Sequence, residues 1–329
     1  ATLHSRKDDV NHSVFLSGNG PLVSVLREAL TRDEYSRRKE AGEKIRKGEV
    51  LEKVKAFIQN IHHFRDECLT DPDNPPADHV VIFDESQRAW NQAKTADFMK
   101  RRKGIADFGR SEPDFLISCM DRHKDWAVII CLVGGGQEIH SGEAGISAWI
   151  QALAKSYPDW KVFVSDQLTE REYDAEVPLQ DLAKTHEVNF SRSLHLATSM
   201  RSFRAENVSS FVKCLLDNDS ASAADHYAQL ADKYPIVVTR DIKEAKAWLR
   251  DKARGNERVG MVASSKAQRL KPHAVDVRVD VNPIHYFLND SEDTRSSYYL
   301  EDAATEFQIQ GLELDWVLVN WDGDLRYSN

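Results

Sequence analysis

Residues 80–88 read Val-Val-Ile-Phe-Asp-Glu-Ser-Gln-Arg, an apolar run that ends in two adjacent carboxylates. A short continuous apolar run is typical of a strand in a parallel sheet, whose two faces are covered by helices. Ligands bind at the carboxyl ends of such strands. The pattern predicts that Asp84 holds Mg²⁺, directly or through water, and that Glu85 orients and deprotonates an attacking water. A strand followed by an acidic turn that binds no ligand is the alternative.

Six further runs are strand candidates, and amphipathic helices alternate with them. The clearest helices follow Pro21, cover 145–155, and cover 241–252 with Asp241 as N-cap. Because most strand candidates are continuous apolar runs, we expect them to be buried on both faces. The alternation predicts an α/β fold with mainly parallel sheets flanked by helices. The further strand candidates are residues 13–17, 127–133, 161–165, 236–239, 259–263 and 316–321.

Two long segments interrupt this alternation and are rich in charge. Residues 31–78 contain few apolar side chains before Val50, and residues 93–125 contain the run Lys100-Arg101-Arg102-Lys103. We interpret both as charged helical insertions with a solvated face. The alternative is that their cations contact a nucleic-acid backbone, which would involve Arg37, Arg38 and Lys39 in the first segment.

The overall composition excludes several classes of protein. The chain carries 53 acidic and 44 basic residues and a net charge of −9, so any track for nucleic acid must be a local groove. No apolar run approaches the ~20 residues that cross a bilayer, so we expect no membrane segment. The four cysteines are scattered without CxxC spacing, which predicts neither a zinc site nor a disulfide framework and favours a cytoplasmic protein with reduced thiols.

Three weaker motifs follow the acidic pair along the chain. Gly134-Gly135-Gly136 precedes Gln137, whose amide is suited to sense a terminal phosphate. Arg201 and Arg204 stand three residues apart, and guanidinium groups suit phosphate. Gln310-Gly311-Leu312-Glu313 leads into the last strand candidate, where Glu313 is placed to reach a ribose hydroxyl. Taken singly, each motif has an ordinary structural explanation. These are a glycine turn for the first, surface ion pairing for the second and an ordinary loop for the third.

Taken in order, however, the motifs resemble a known family. The acidic strand end, the glycine–glutamine turn, the arginine segment and the Gln-Gly-Leu-Glu-Leu-Asp stretch occur in the sequence of superfamily 1 helicase motifs II, III, IV and V. The chain resembles the Schlafen group 3-like DNA/RNA helicase domain, a bacterial family of P-loop NTPases. Residues 15–22 are similar to its motif Ia, 136–143 to its motif III, and 304–315 to its motif V.

The resemblance implies two RecA-like lobes, 1–190 and 191–329, with ATP and Mg²⁺ as cofactors and single-stranded DNA or RNA as partner. Asp84 then binds Mg²⁺, Glu85 activates water, Gln137 couples the γ-phosphate to the nucleic-acid track, and Arg201 reaches the γ-phosphate from the second lobe. The remaining residues that it assigns are the nucleotide contacts Gly311 and Glu313 and the strand contacts Ser17, Gly18, Asn19 and Thr305.

Two family features are missing from the sequence. It contains no G-x-x-x-x-G-K-[ST] loop, which in the family precedes motif Ia, and it stops at Asn329, before the motif VI arginine that in the family follows the last strand. We therefore expect a chain that is truncated at both ends and that binds ATP weakly without hydrolysing it. Two alternatives to an ATP-dependent helicase or translocase remain open: an ATP-gated switch that signals to a fused or associated effector, as in phage defence, and a nucleic-acid-binding module without unwinding activity.

Overall fold

The computed structural model describes residues 13–134, 142–169, 173, 175–196, 206–231 and 234–326. The chain forms two compact units, Ala1–His195 and Leu196–Asn329. Among the described residues, the first unit contains two parallel sheets and the second contains one. Gln137 and Arg201, together with the rest of the segments 135–141 and 197–205, lie outside the described residues.

A parallel sheet of four strands forms the centre of the first unit. Its spatial order is β2-β1-β3-β4, and a smaller parallel pair, β5-β6, lies in the same unit. The strands are β1 (Ser13–Ser17), β2 (Ile58–Asn60), β3 (Val80–Asp84), β4 (Val128–Cys131), β5 (Val162–Val164) and β6 (Val188–Phe190).

Helices connect these strands, and several of the helices begin at a residue whose polar side chain caps the N-terminus. Asn19 and Asn60 cap the helices that follow β1 and β2, and Asn91 and Ser111 cap two later ones, each accepting a backbone N–H. The helices of this unit are α1 (Gly20–Glu40), α2 (Lys47–Phe57), α3 (Ile61–Thr70), α4 (Gln92–Phe98), α5 (Glu112–Met120), α6 (Gly145–Ser156) and α7 (Glu176–Leu182).

One face of the main sheet supplies the core of the first unit. Leu16 of β1 and Phe83 of β3 are fully buried, and the Phe83 ring lies 5.0 Å from the Trp149 ring of α6. The expectation that the strands are buried on both faces is wrong for β4, whose Val128 is 41% exposed, and for β5, whose Phe163 is 62% exposed. A continuous apolar run therefore does not guarantee double burial, because the cover on the second face depends on tertiary neighbours.

The second unit is built on a parallel sheet of three strands in the order β8-β7-β9. Asp241 caps one of its helices, as expected, by accepting the backbone N–H groups of Lys243 and Glu244. The elements are α8 (Glu206–Leu216), α9 (Ser220–Leu230), α10 (Ile242–Lys252), β7 (Val259–Ala263), α11 (Pro283–Leu288), β8 (Ala303–Ala304), α12 (Glu306–Ile309) and β9 (Trp316–Asn320).

The strand expectations are mostly confirmed, with one error and three omissions. Residues 236–239 form no strand; they lack a pairing partner among the described residues, and Val238 is exposed. The short strands β2, β6 and β8 were not expected, since two or three residues carry no periodic signal and these strands exist through pairing with β1, β5 and β7. The fold is the expected α/β architecture of RecA-like lobes, with parallel sheets flanked by helices.

No helix in the described part of the chain combines the length and the apolar character that a membrane-spanning helix requires.

Candidate functional site

The carboxyl edge of the main sheet brings several sequence-predicted residues together. The strands are parallel, so their carboxyl ends meet at one edge, and Ser17 of β1 is the register partner of Asp84 of β3. Gly134 follows β4 at the same edge. The residue assigned to Mg²⁺ and a residue assigned to nucleic acid are thus neighbours on adjacent strands.

Glu85 has an unusual backbone. Its φ of 53° and ψ of 45° place it in the left-handed region, which costs a non-glycine residue about 1 kcal/mol or more. Two backbone hydrogen bonds hold this turn: Arg88 N–H donates to the Glu85 carbonyl over 2.9 Å, and Ser86 N–H donates to the Leu132 carbonyl over 2.9 Å. Strain of this kind clusters at functional sites, where surrounding contacts maintain it.

Gln87 joins the acidic turn to the glycine turn after β4. Its Nε2 donates to Oε2 of Glu85 over 3.0 Å, and its Oε1 accepts the backbone N–H of Gly134 over 3.2 Å. Gln87 is only 2% exposed. The sequence analysis assigned Gln87 no role, although it lies in the stretch 80–88. The signal that could have identified it is its position two residues after the candidate base Glu85.

Ser86 fixes the same turn from the other side. The indole Nε1 of Trp149 donates to the Ser86 carbonyl over 2.9 Å, and the Ser86 hydroxyl donates to the Phe83 carbonyl over 2.8 Å. Burial raises the pKa of the neighbouring Cys131 thiol to about 12, with a hydrogen bond to Ser86 acting against this shift. Cys131 is therefore a protonated thiol at neutral pH and is no candidate nucleophile.

Arg88 extends the site toward the segment that resembles motif III. Its Nε donates to Oε1 of Glu143 over 3.2 Å, and Trp90 forms an isolated antiparallel bridge with Glu143. Within the described part of the chain, Oε2 of Glu143 is buried without a hydrogen-bond partner. Glu143, at the end of the segment that resembles motif III, therefore lies next to the acidic turn. Gln137, in the same segment, lies outside the described residues.

The three nucleic-acid candidates after β1 differ in their availability. Ser17 is 1% exposed, and its hydroxyl accepts the backbone N–H of Asn19 over 3.2 Å. Asn19 uses its side chain to cap α1 through Leu22 N–H. Gly18 between them is exposed and has room for a side chain. Of the three, Gly18 therefore offers the most accessible surface.

The second unit has its own carboxyl edge, where Thr305 follows β8. Its backbone N–H and its hydroxyl donate to Oε1 of Gln308 over 2.8 and 3.1 Å at the start of α12. The adjacent Glu306 accepts from Ser265, which follows β7, through both the backbone N–H and the hydroxyl. Thr305 therefore belongs to a firmly held loop, and the link between Glu306 and Ser265 was not foreseen.

Gly311 and Glu313 lie farther along the connection from α12 to β9. Gly311 has a φ of 76°, a left-handed conformation that favours glycine, and Glu313 is exposed. Asp315 lies beside the start of β7, where its carboxylate accepts Arg258 N–H over 2.6 Å. The chain therefore returns from the carboxyl edge at Thr305 to the opposite edge of this sheet at Asp315, and Gly311 and Glu313 occupy the path between the two.

The chain was matched by a protein-family model. The sequence model described as "Schlafen group 3, DNA/RNA helicase domain" matches residues 1–329. No curated protein and no solved structure matches the chain. Since the family match covers the whole sequence and agrees with the parallel α/β architecture, the chain belongs to the Schlafen group 3 DNA/RNA helicase domain family.

Proposed function

We propose that this domain is the core of an ATP-dependent translocase or helicase that moves on single-stranded nucleic acid. The observation that carries the proposal is the acidic turn after β3, where Glu85 has a left-handed backbone and its carboxylate accepts a hydrogen bond from the buried Gln87. A general base must be oriented before the reaction, and this arrangement orients Glu85.

The donor set at this turn suits Mg²⁺. Asp84 is half-buried and offers carboxylate oxygens at the sheet edge, and Mg²⁺ prefers oxygen ligands from one or two carboxylates together with phosphates. When bound, Mg²⁺·ATP supplies the phosphoryl group that reacts with water. Asp84 would hold the metal, Glu85 would take the proton from water, and Gln87 would keep the Glu85 carboxylate in place. Gln137 and Arg201 are proposed to contact the γ-phosphate, and Gly311 and Glu313 the nucleoside.

The surface after β1 supports a contact with a nucleic-acid backbone. Gly18 is exposed directly before α1, and the partial positive charge at a helix N-terminus favours a nearby phosphate. We assign this contact to Ser17, Gly18 and Asn19, and a second one to Thr305 in the other unit. Because the chain has a net charge of −9, these local contacts rather than overall charge must attract the strand.

ATPase activity of the full-length protein, with and without single-stranded DNA or RNA, tests the proposal. We expect activity that the strand stimulates, and we expect Glu85→Gln to lower kcat by about 100-fold or more while ATP still binds. Glu49→Gln, at an exposed position of α2, is the matched control. If Glu85→Gln hydrolyses ATP as fast as the wild type, the assignment of the base is wrong.

Displacement of a blocked strand separates translocation from its alternatives. ATP-driven displacement supports a motor. Strand-stimulated hydrolysis without displacement would instead indicate an ATP-gated switch, and strand binding that ignores nucleotide would indicate a binding module. Either of the last two results would overturn the translocase proposal while leaving the family assignment intact.

A further inference from the structure

A second cluster of ligating side chains lies at the opposite edge of the main sheet from Asp84 and Glu85. His79 directly precedes β3, and His123 and Asp125 lie in the loop between α5 and β4. The backbone joins these two places, since Val128 N–H donates to the His79 carbonyl over 2.8 Å. The cluster therefore sits where β3 and β4 begin and takes no part in the proposed nucleotide chemistry.

The three side chains converge on a small volume. One ligand atom from each of His79, His123 and Asp125 lies within 4.8 Å of the other two. The two imidazole rings have centroids 4.0 Å apart. Ligand atoms of a tetrahedral zinc site are about 3.4 Å apart, given Zn–N and Zn–O distances of about 2.0–2.2 Å. Side-chain rotations must close the difference, and the exposed position of Asp125 leaves its carboxylate room to rotate.

Hydrogen bonds from the backbone already orient both imidazoles. Nδ1 of His79 is 2.8 Å from the Trp126 carbonyl oxygen, and the His123 ring hydrogen-bonds to the backbone of Asp78. A ligating histidine typically uses one ring nitrogen in this way and the other for the metal. Nε2 of His123 fits that pattern, since it is buried and has no hydrogen-bond partner among the residues described. A buried nitrogen without a partner requires an explanation, and a bound cation is one.

We propose that His79, His123 and Asp125 bind a divalent transition-metal ion of the Zn²⁺ class. Two imidazole nitrogens and one carboxylate oxygen form a ligand set that suits zinc and disfavours Mg²⁺ and Ca²⁺, which prefer oxygen throughout. Three protein ligands leave the fourth position to water. The scattered cysteines predicted no zinc site, but this site contains no cysteine ligand. It could not be predicted from spacing, because His79 and His123 are 44 residues apart in the sequence and are brought together by the fold. The ion would tie the loop after α5 to the start of β3.

Titration of the metal-free 329-residue chain with Co²⁺ and Zn²⁺ tests the site. We expect Co²⁺ to bind with one-to-one stoichiometry and to give the ligand-field absorption of a four- or five-coordinate ion, and we expect Zn²⁺ to displace it. The double substitution His123→Ala/Asp125→Asn should weaken Zn²⁺ binding by at least about tenfold. His63→Ala/Asp73→Asn removes the same side-chain types from exposed positions of this unit and should leave the affinity unchanged.

Two further measurements keep the result independent of folding and of nucleotide binding. Asp125→Asn alone alters an exposed side chain, and circular dichroism verifies its fold, so loss of binding in this variant cannot be ascribed to unfolding. Asp84→Asn should retain full Zn²⁺ affinity, and excess Mg²⁺ should not compete. The proposal is overturned if the metal-free chain shows no saturable binding, or if both double variants bind Zn²⁺ as tightly as the wild type.

Discussion

Gln87 Nε2 donates a hydrogen bond to the Glu85 carboxylate over 3.0 Å, while Oε1 of the same amide accepts from Gly134 N–H over 3.2 Å. A single buried side chain therefore connects the candidate base to the turn after β4. An amide suits this position because it donates at one end and accepts at the other. Gln87 therefore couples the position of Gly134 to that of the Glu85 carboxylate.

Replacement of this amide by a second carboxyl group tests its role. Gln87→Glu keeps an acceptor for Gly134 N–H but removes the donor to Glu85 and places two carboxyl groups side by side. Such a pair retains a proton to higher pH, so the acid limb of the ATPase pH–rate profile should move up by about one unit or more. The profile is measured on the full-length protein with saturating single strand.

A second variant separates positioning from packing. Gln87→Leu removes both hydrogen bonds and should lower kcat by about tenfold, corresponding to the loss of about one hydrogen bond to a charged group, while the KM for ATP stays nearly constant. An unchanged acid limb in Gln87→Glu together with an unchanged kcat in Gln87→Leu would show that Gln87 only fills space.

Residues 80–88 illustrate which features could be predicted from the sequence. The run before Asp84 predicted a strand because apolar residues followed by carboxylates are a local pattern, and β3 is found at 80–84 as expected. The pairing of Ser17 with Asp84 was not predicted, because the sequence does not show which strands are neighbours in the sheet. The roles given to these residues stay predictions.

Other features could not be predicted because they exist only through distant contacts. The hydrogen bond from Gly134 to Gln87 joins residues 47 positions apart. Strand β2 has three residues and no pattern of its own, so only its pairing with β1 defines it. The run at 236–239 has strand-forming residues but finds no partner, which shows that propensity without pairing is insufficient.

Gly18 offers a selective way to test the strand contact. A side chain there meets nothing closer than 3.9 Å, so Gly18→Asp should fold normally while placing a negative charge beside a phosphate. We expect the affinity for single-stranded DNA or RNA to fall by about tenfold or more, whereas Ser17→Ala should have a smaller effect because Ser17 is buried. Fluorescence anisotropy at fixed salt measures both.

The control for this experiment is Gly48, another glycine at which a side chain has room. Gly48→Asp adds the same charge in α2, where nothing lies within 4 Å. Equal losses of affinity in both variants would indicate a general charge effect and would remove Gly18 from the proposed strand contact.

A buried ion pair supports the segment that follows the acidic turn. Arg65 is 0% and Glu112 is 2% exposed, with 3.1 Å between Nη1 and Oε1, and Oε2 of Glu112 accepts Trp90 N–H. Removing one partner leaves a buried charge unpaired. Arg65→Met should therefore lower the free energy of unfolding by about 3–5 kcal/mol in urea titrations.

The double variant provides the decisive comparison for this pair. Arg65→Met/Glu112→Gln removes both charges and keeps an acceptor for Trp90 N–H, so it should be more stable than Arg65→Met alone. Arg101→Met breaks an exposed pair with Asp97 and should cost less than about 1 kcal/mol. Additive losses in the double variant would show that the charges of Arg65 and Glu112 are not coupled.

His62 should make the stability of this unit sensitive to acid. Burial, followed by the charge of Arg65, lowers the pKa of His62 from 6.5 to about 4, and its ring lies 5.0 Å from that of Trp90. Between these two pH values the unfolded chain binds a proton that the folded chain does not. The contribution of His62 to stability is therefore present above pH 6.5 and is lost as pH falls toward 4.

His62→Phe should flatten this dependence, because phenylalanine keeps the ring contacts and cannot be protonated. Thermal unfolding of the wild type and the variant between pH 7 and about 4 measures the effect as a difference in the decline of Tm, since carboxylates titrate equally in both. His63→Phe, at the exposed neighbouring position, should decline like the wild type. Parallel declines for wild type and His62→Phe would mean that the imidazole accepts its proton as readily in the folded chain, and the buried environment assigned to His62 would be wrong.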